Sequence, residues 1–225
     1  MILCDIGNST FHFLVGENEF KVGVDEDLNQ VLSKDCFNSI DEILYFISVN
    51  EKATIVLQNK FQNSIDLKNK VKLDTTYTST LGIDRIVACK FFDDGIIVDF
   101  GSAITVDVME NKKHLGGFIL PGIDGLKKLY PQISSKLSFE FETNIDFDRL
   151  PHNTNEAISF AIFKMILASI EDTQKKYNKN LIITGETAKI FLPYLNNYEF
   201  QERLIFESMK QIVHSFDMKN YEEKR

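Results

Sequence analysis

Asp99, Gly101, Ser102 and Ala103 stand between two apolar runs, residues 96–98 and the alternating residues 104–108. The pattern reads as strand, tight turn, strand. An Asp ending a buried strand supplies a carboxylate on a rigid element. Gly101 and its small neighbours let the backbone turn sharply and bring its amides against an anion. A carboxylate for a cation beside bare amides for phosphate is the chemistry a nucleotide needs. Taken alone, such a stretch reads better as an ordinary β-hairpin with an Asx-turn. The chain, however, carries it twice: Asp5, Gly7, Asn8, Ser9 and Thr10 follow one apolar run and precede a second β-prone segment. Asp5 aligns with Asp99 and Gly7 with Gly101, about ninety residues apart, a spacing suited to a duplicated domain.

Three further stretches carry chemistry-bearing residues. Gly82-Ile83-Asp84-Arg85 follows a run of small polar residues that includes Tyr77, and a helix starts near Asp84. Asp84 is either a cap or dipole partner for that helix or a base that takes a proton from a hydroxyl; Arg85 suits an anion. Residues 114–125 hold a proline and a cluster of glycines, and read as a set of turns or as a backbone cradle. Thr184-Gly185-Glu186 ends a strand and opens a helix, a common place for a nucleotide. His12, His114, His152 and His214 share no ligand spacing and read as structural or surface residues. There is no P-loop, dinucleotide fingerprint or nucleophile elbow.

The elements that must position these residues read as α/β. Residues 19–24 alternate as a third antiparallel strand, 41–48 read as a short helix, 53–58 as a buried strand, and 60–70 as helix or loop. Residues 138–151 form an aromatic, acidic loop. Asn153 and Glu156 make a capping-box signature ahead of a long amphipathic helix over 156–177. Residues 199–216 read as a strand or loop and then a surface helix, with a frayed tail over 219–225. The expected domains are 1–90 and 91–225.

The 225 residues are 44% hydrophobic and 26% charged, with net charge −8, as expected for a globular protein with a real core. The acidic balance argues against a nucleic-acid partner. The 19 Phe are scattered at core-like spacings rather than interleaved with basic residues. No apolar run suits a membrane span, and the chain opens on a strand rather than a leader. Cys4, Cys36 and Cys89 are odd in number and lack metal or redox spacing, which suggests a reducing, cytoplasmic setting.

Taken together the motifs resemble the type III pantothenate kinase family, within the superfamily of acetate and sugar kinases, the heat-shock chaperone ATPase and actin. The resemblance rests on Asp5-Ile6-Gly7-Asn8-Ser9, on Gly82-Ile83-Asp84-Arg85, and on Asp99 to Asp107 with Ser102 in place of Thr. It rests also on Gly116-Gly117-Phe118-Ile119-Leu120-Pro121-Gly122, on Asn153-Thr154 and on Thr184-Gly185. Six motifs in order are specific where each alone is weak.

The resemblance implies two duplicated ribonuclease-H-like (actin-like ATPase) domains with a cleft between them. It implies phosphorylation of pantothenate by ATP, the first step of coenzyme A biosynthesis, by a homodimer needing magnesium and a monovalent cation such as potassium or ammonium. By the same likeness Asp5, Gly7, Asn8, Ser9 and Thr10 hold ATP phosphates and magnesium, and Ser102 contacts the nucleotide. Asp84 is the general base; Tyr77, Gly82, Ile83, Arg85 and Thr154 line the substrate; and Asp99 contacts potassium. Glu186 departs from the family, standing where a second Gly is usual. The competing readings are a non-catalytic regulatory accessory factor of the same family, another kinase or phosphatase of the superfamily, and a nuclease of the ribonuclease-H fold.

Overall fold

A computed structural model describes residues 1–29 and 42–222, with side chains to residue 216. The chain divides into two compact units, Met1–Phe91 with Arg203–Arg225, and Phe92–Glu202. The second expected domain ran to residue 225, but the chain from Arg203 onward belongs to the first unit. The reason is packing: Phe206, Met209, Ile212 and Val213 are buried in one cluster with Leu3, Leu14, Tyr45 and Ile47. The C-terminal helix is therefore a core element rather than the surface helix its charged residues suggested.

The first unit is a five-stranded sheet in the order β3-β2-β1-β4-β5. Its strands are β1 (Ile2–Ile6), β2 (Thr10–Val15), β3 (Asn18–Gly23), β4 (Leu44–Ser48) and β5 (Ser64–Asp66). β1 pairs antiparallel with β2 and parallel with β4. Helix α1 (Glu51–Lys60) covers one face through Ala53 and Leu57, against Ile2, Cys4, Ile6, Phe11 and Phe13. Helices α2 (Ile83–Cys89) and α6 (Leu204–Glu222) cover the other.

Two expectations here exchange places. Residues 44–48 form a strand, not a helix, because Leu44, Tyr45, Phe46 and Ile47 are all buried and the strand is covered on both faces; such a continuous apolar run has no helical stripe. Residues 53–58 lie in a helix, not a strand. Their β-branched residues Ile55 and Val56 are exposed, while Ala53 and Leu57, four apart, face the core. Tertiary burial overrides local β preference there. Cys36 and Asp41 lie outside the described residues, as does the end of the expected frayed tail.

The second unit repeats the topology as β10-β9-β6-β7-β8. The strands are β6 (Gly95–Phe100), β7 (Ala103–Glu110), β8 (Lys113–Pro121), β9 (Leu181–Thr184) and β10 (Tyr198–Phe200). Helices α3 (Ile123–Ile133), α4 (Thr154–Tyr177) and α5 (Ala188–Phe191) pack on the face formed by Ile96, Val98, Phe100, Ile104, Val106, Leu181 and Ile183. The glycine-rich residues 114–121 are mostly strand rather than turns: β8 runs to Pro121, with a bulge opposite Val108 and Met109 where Gly116 takes φ +130°.

Helix α4 begins as expected. The Asn153 side chain accepts from the Glu156 N–H at 2.9 Å, and Glu156 accepts from the His152 N–H at 2.8 Å. Arg149 also pairs with Glu156. That hydrogen bond, with the one from His152, holds the Glu156 carboxyl below its ordinary range. The 138–151 loop is pinned by rings: Phe141 stacks on Phe163, and Phe147 meets Phe160 and Tyr194. The Phe residues here are packing, as their spacing suggests.

Candidate active site

In the first unit, side chains along β1 alternate between the two faces. Ile2, Cys4 and Ile6 meet the α1 side and Leu3 the α2–α6 side, so Asp5 is carried on the α2–α6 side. Complete burial pushes the Cys4 thiol up, and the Asp5 charge adds to the shift; Cys4 stays a thiol and is no nucleophile.

The turn after Asp5 closes with Gly7 N–H donating to the Thr10 carbonyl at 2.9 Å. The Ser9 carbonyl accepts from Val24 N–H at 3.0 Å, and the Asn8 carbonyl accepts from Asn50 Nδ2 at 3.2 Å. Asn8 and Ser9 are exposed, with Gly7 and Thr10 half-buried beside them. The expected phosphate residues therefore share one braced turn at the end of β1.

On the same face of this sheet, Gly82 caps α2 in extended conformation, which makes Asp84 the second residue of the helix and not its cap. A Cβ at Gly82 would collide with Asp84 Oδ1; the carboxylate is folded back over the bare Gly82 backbone. Arg85 is 4% exposed, and its guanidinium lies 5.0 Å from the Tyr77 ring centroid, within cation–π range. Tyr77 N–H donates to Thr75 Oγ1 at 2.9 Å, fixing the approach to the ring. Tyr77, Gly82, Asp84 and Arg85 are thus brought together, while Ile83 packs into the core with Val87 and Leu3.

In the second unit, Asp99 pairs with Thr105 on one side and Thr184 on the other. The turn after it is tighter: Gly101 N–H donates to the Ala103 carbonyl at 3.2 Å, with Ser102 exposed at the tip. Two glycines from distant segments press on it. A Cβ at Gly122 would lie 2.5 Å from the Ser102 carbonyl oxygen and 2.6 Å from that of Gly101. Gly185, at φ +99°, would place a Cβ 2.5 Å from Asp99 Oδ1, so both space and backbone conformation require glycine there. Thr187 donates twice to the Phe100 carbonyl, from its N–H at 3.1 Å and its hydroxyl at 3.0 Å. Glu186 is exposed between them. Thr154 belongs to a different element, as the exposed first residue of α4.

His114 is fully buried rather than at the surface, and its Nε2 lies 2.7 Å from Asp107 Oδ1, also buried. His12 pairs with Glu19 at 2.8 Å. Of the braces, Gly122 closes one of the sequence motifs, while the sequence reading gives Asn50 and Thr187 no role of their own. Asn50 had a usable signal, an Asn directly before Glu51 with Ala53 and Leu57 at helical spacing. Thr187 acts through its N–H and hydroxyl on the distant Phe100 carbonyl, a contact with no sequence pattern of its own.

Comparison with known proteins places this arrangement. Residues 1–176 match the family model described as type III pantothenate kinase. A type III pantothenate kinase of Campylobacter jejuni is 41% identical over 95% of this chain and 96% of its own. One from Helicobacter hepaticus is 35% identical over 95% and 98%. Among solved structures, one named as a Baf family transcriptional activator from Campylobacter jejuni superposes with TM-score 0.80 at 38% identity, covering 96% of this chain and 99% of that one. The ethanolamine utilization protein EutJ from Carboxydothermus hydrogenoformans shares the fold alone, with TM-score 0.51 at 14% identity over 88% and 83%. The two mixed sheets have the duplicated ribonuclease-H-like order of the actin-like ATPases, and the chain belongs to the type III pantothenate kinase family.

Proposed function

We propose that the protein transfers the γ-phosphoryl group of ATP to the primary hydroxyl of pantothenate, the opening step of coenzyme A biosynthesis, with Asp84 as general base. The observation that carries this reading is the placement of Asp84. It stands in the first turn of α2 rather than at the cap position, and its carboxylate lies over a bare glycine next to a buried Arg85 whose guanidinium meets the Tyr77 ring. A primary alcohol is too weakly acidic to ionise unaided, so a carboxylate at its proton lowers the barrier. Arg85 and Tyr77 suit the substrate's carboxylate and its orientation. The rest of phosphoryl transfer is positioning and charge neutralisation, for which the turn at residues 7–10 offers backbone and hydroxyl groups.

Asp5 fits magnesium, a hard cation that takes one or two protein carboxylates together with substrate phosphates. Asp99, a carboxylate beside the backbone of Gly185 and Gly101, is an oxygen donor suited to potassium or ammonium. Such cations would neutralise charge on the phosphoryl oxygens. Ser102, exposed at its turn, and Thr154, at the start of α4, are read as nucleotide and pantothenate contacts respectively. Glu186 leaves the choice of phosphate donor to the assay.

A homodimer is part of the reading. No described helix is long and apolar enough to cross a membrane, and the buried Cys4 and Cys89, neither in a disulfide, suit a reducing cytoplasm. The test is pantothenate-dependent ADP formation from Mg-ATP, comparing potassium with sodium, with mass spectrometry of the phosphorylated product. Binding of pantothenate without turnover would favour the second reading, a non-catalytic accessory factor, to which the name of the Campylobacter structure lends support.

A further inference from the structure

The Asn50 side chain does two things at once. Its Oδ1 accepts from Ala53 N–H at 3.1 Å, capping α1, and its Nδ2 donates to the Asn8 carbonyl at 3.2 Å. One partner is an N–H and the other a carbonyl, so the amide can face only one way. The backbone of Asn50 is itself clamped. Its N–H donates to Ser48 Oγ at 3.0 Å, and its carbonyl accepts from Ser48 Oγ at 3.1 Å and Thr54 Oγ1 at 2.9 Å. A side chain held at both root and tip is a rigid strut from the β4–α1 junction to the turn after Asp5.

Peptide geometry turns that strut into an aiming device. In a trans peptide the C=O of one residue and the N–H of the next point in opposite directions, and the described chain contains no cis bond. Drawing the Asn8 carbonyl towards Asn50 therefore turns the Ser9 N–H the other way. The duplicated unit offers an internal control. Asn8 corresponds to Ser102, and the Ser102 carbonyl is likewise engaged, by Gly122 N–H at 3.2 Å. Both units fix the same carbonyl, one with backbone and one with a side chain.

We propose that Asn50 is a positioning residue for nucleotide phosphate, acting through the Asn8–Ser9 peptide. The proposal rests on the reading that the turn at residues 7–10 binds ATP phosphates. Asn50 touches no substrate; it sets the direction of an amide that does.

Asn50→Ser keeps a good helix cap but is too short to reach Asn8, and Asn50→Asp keeps the cap while replacing the donor with an acceptor. Both are expected to raise the KM for ATP about tenfold, leave the KM for pantothenate within about twofold, and melt within a few degrees of wild type. Glu51→Gln alters the exposed first turn of the same helix without touching the strut or its clamp and should leave the KM for ATP unchanged. An unchanged KM for ATP in both Asn50 variants overturns the inference, as does an equal rise in Glu51→Gln. A wild type that turns over nothing and binds no ATP by calorimetry overturns the phosphate reading itself, and this inference with it. A wild type that binds ATP no more tightly than the two Asn50 variants overturns only the inference.

Discussion

The two Asp-Gly turns occupy the same place in two sheets of the same strand order, yet they are built differently. In the first unit Ile6 is the register partner of Phe11, which leaves Asn8 and Ser9 as a two-residue tip closed by Gly7 and Thr10. In the second, Phe100 is the partner of Ile104, and Ser102 alone forms the tip. The carbonyl that ends each first strand is matched, Ile6 accepting from Val49 N–H and Phe100 from Thr187 N–H, both at 3.1 Å. Beyond that point the first turn is braced by the Asn50 amide and by the Val24 N–H on the Ser9 carbonyl, whereas the second is wedged by Gly122 and Gly185. Duplication preserves where the turn is held, not what holds it. The wedged turn has no room for an added atom at Gly122 or Gly185; the strutted turn has room at Gly7 and takes one of its braces from a side chain.

Substitutions at the glycines break that contrast most sharply. Gly185→Ala adds a methyl against Phe100 backbone and Asp99 at a positive φ, and should destabilise the second unit by about 3 kcal/mol in a denaturant titration. Gly122→Ala should behave similarly, since its new Cβ would meet two carbonyl oxygens. Thr187→Val removes one of two donors to the Phe100 carbonyl, for an expected loss of about 1 kcal/mol. Gly7→Ala meets only the Thr10 carbonyl at 3.6 Å, an ordinary contact, and should change stability by less than about 1 kcal/mol. Comparable losses at Gly7 and Gly185 would erase the distinction between the turns.

The smallest effect is a pH dependence confined to the first unit. Partial burial works to raise the Glu19 carboxyl, but hydrogen bonds from His12 and Arg203 outweigh it and hold the group below its ordinary value. A depressed carboxyl contributes stability that is fully present above its unfolded pKa, about 4.3, and is lost as pH falls through the folded value. Glu19→Gln should therefore flatten the acid limb of a melting profile below about pH 4.3 slightly and leave it unchanged near neutrality.

The repeated Asp-x-Gly hairpins are legible in the sequence because they need both a strand alternation and a small-residue turn, and both leave marks at fixed offsets. The long helix α4 is legible through its cap and its apolar spacing. The exchange of strand and helix around residues 44–58 is not, because a strand buried on both faces has no period, and exposed Ile55 and Val56 imitate one. The return of α6 to the first sheet is likewise hidden: Phe206 and Met209 read as one face of a helix, and nothing local says which core receives them. Within the candidate site, Asp5, Asp84 and Asp99 stand out by type and spacing. Gly82 and Gly185 stand out as motif residues too, but the reason for them does not: Asp84 folds over the first, and Asp99 and Phe100 lie against the second.

The central claim is that Asp84 removes the proton from the substrate hydroxyl. The most direct measurement is kcat for Asp84→Asn at saturating Mg-ATP and pantothenate, alongside the binding of both ligands. Asn keeps the size of the side chain and its place over Gly82 but cannot take a proton at working pH. The account expects kcat to fall by roughly 10²–10⁴ with ligand binding retained. A kcat near that of wild type would contradict it and reduce Asp84 to a residue that shapes the start of α2.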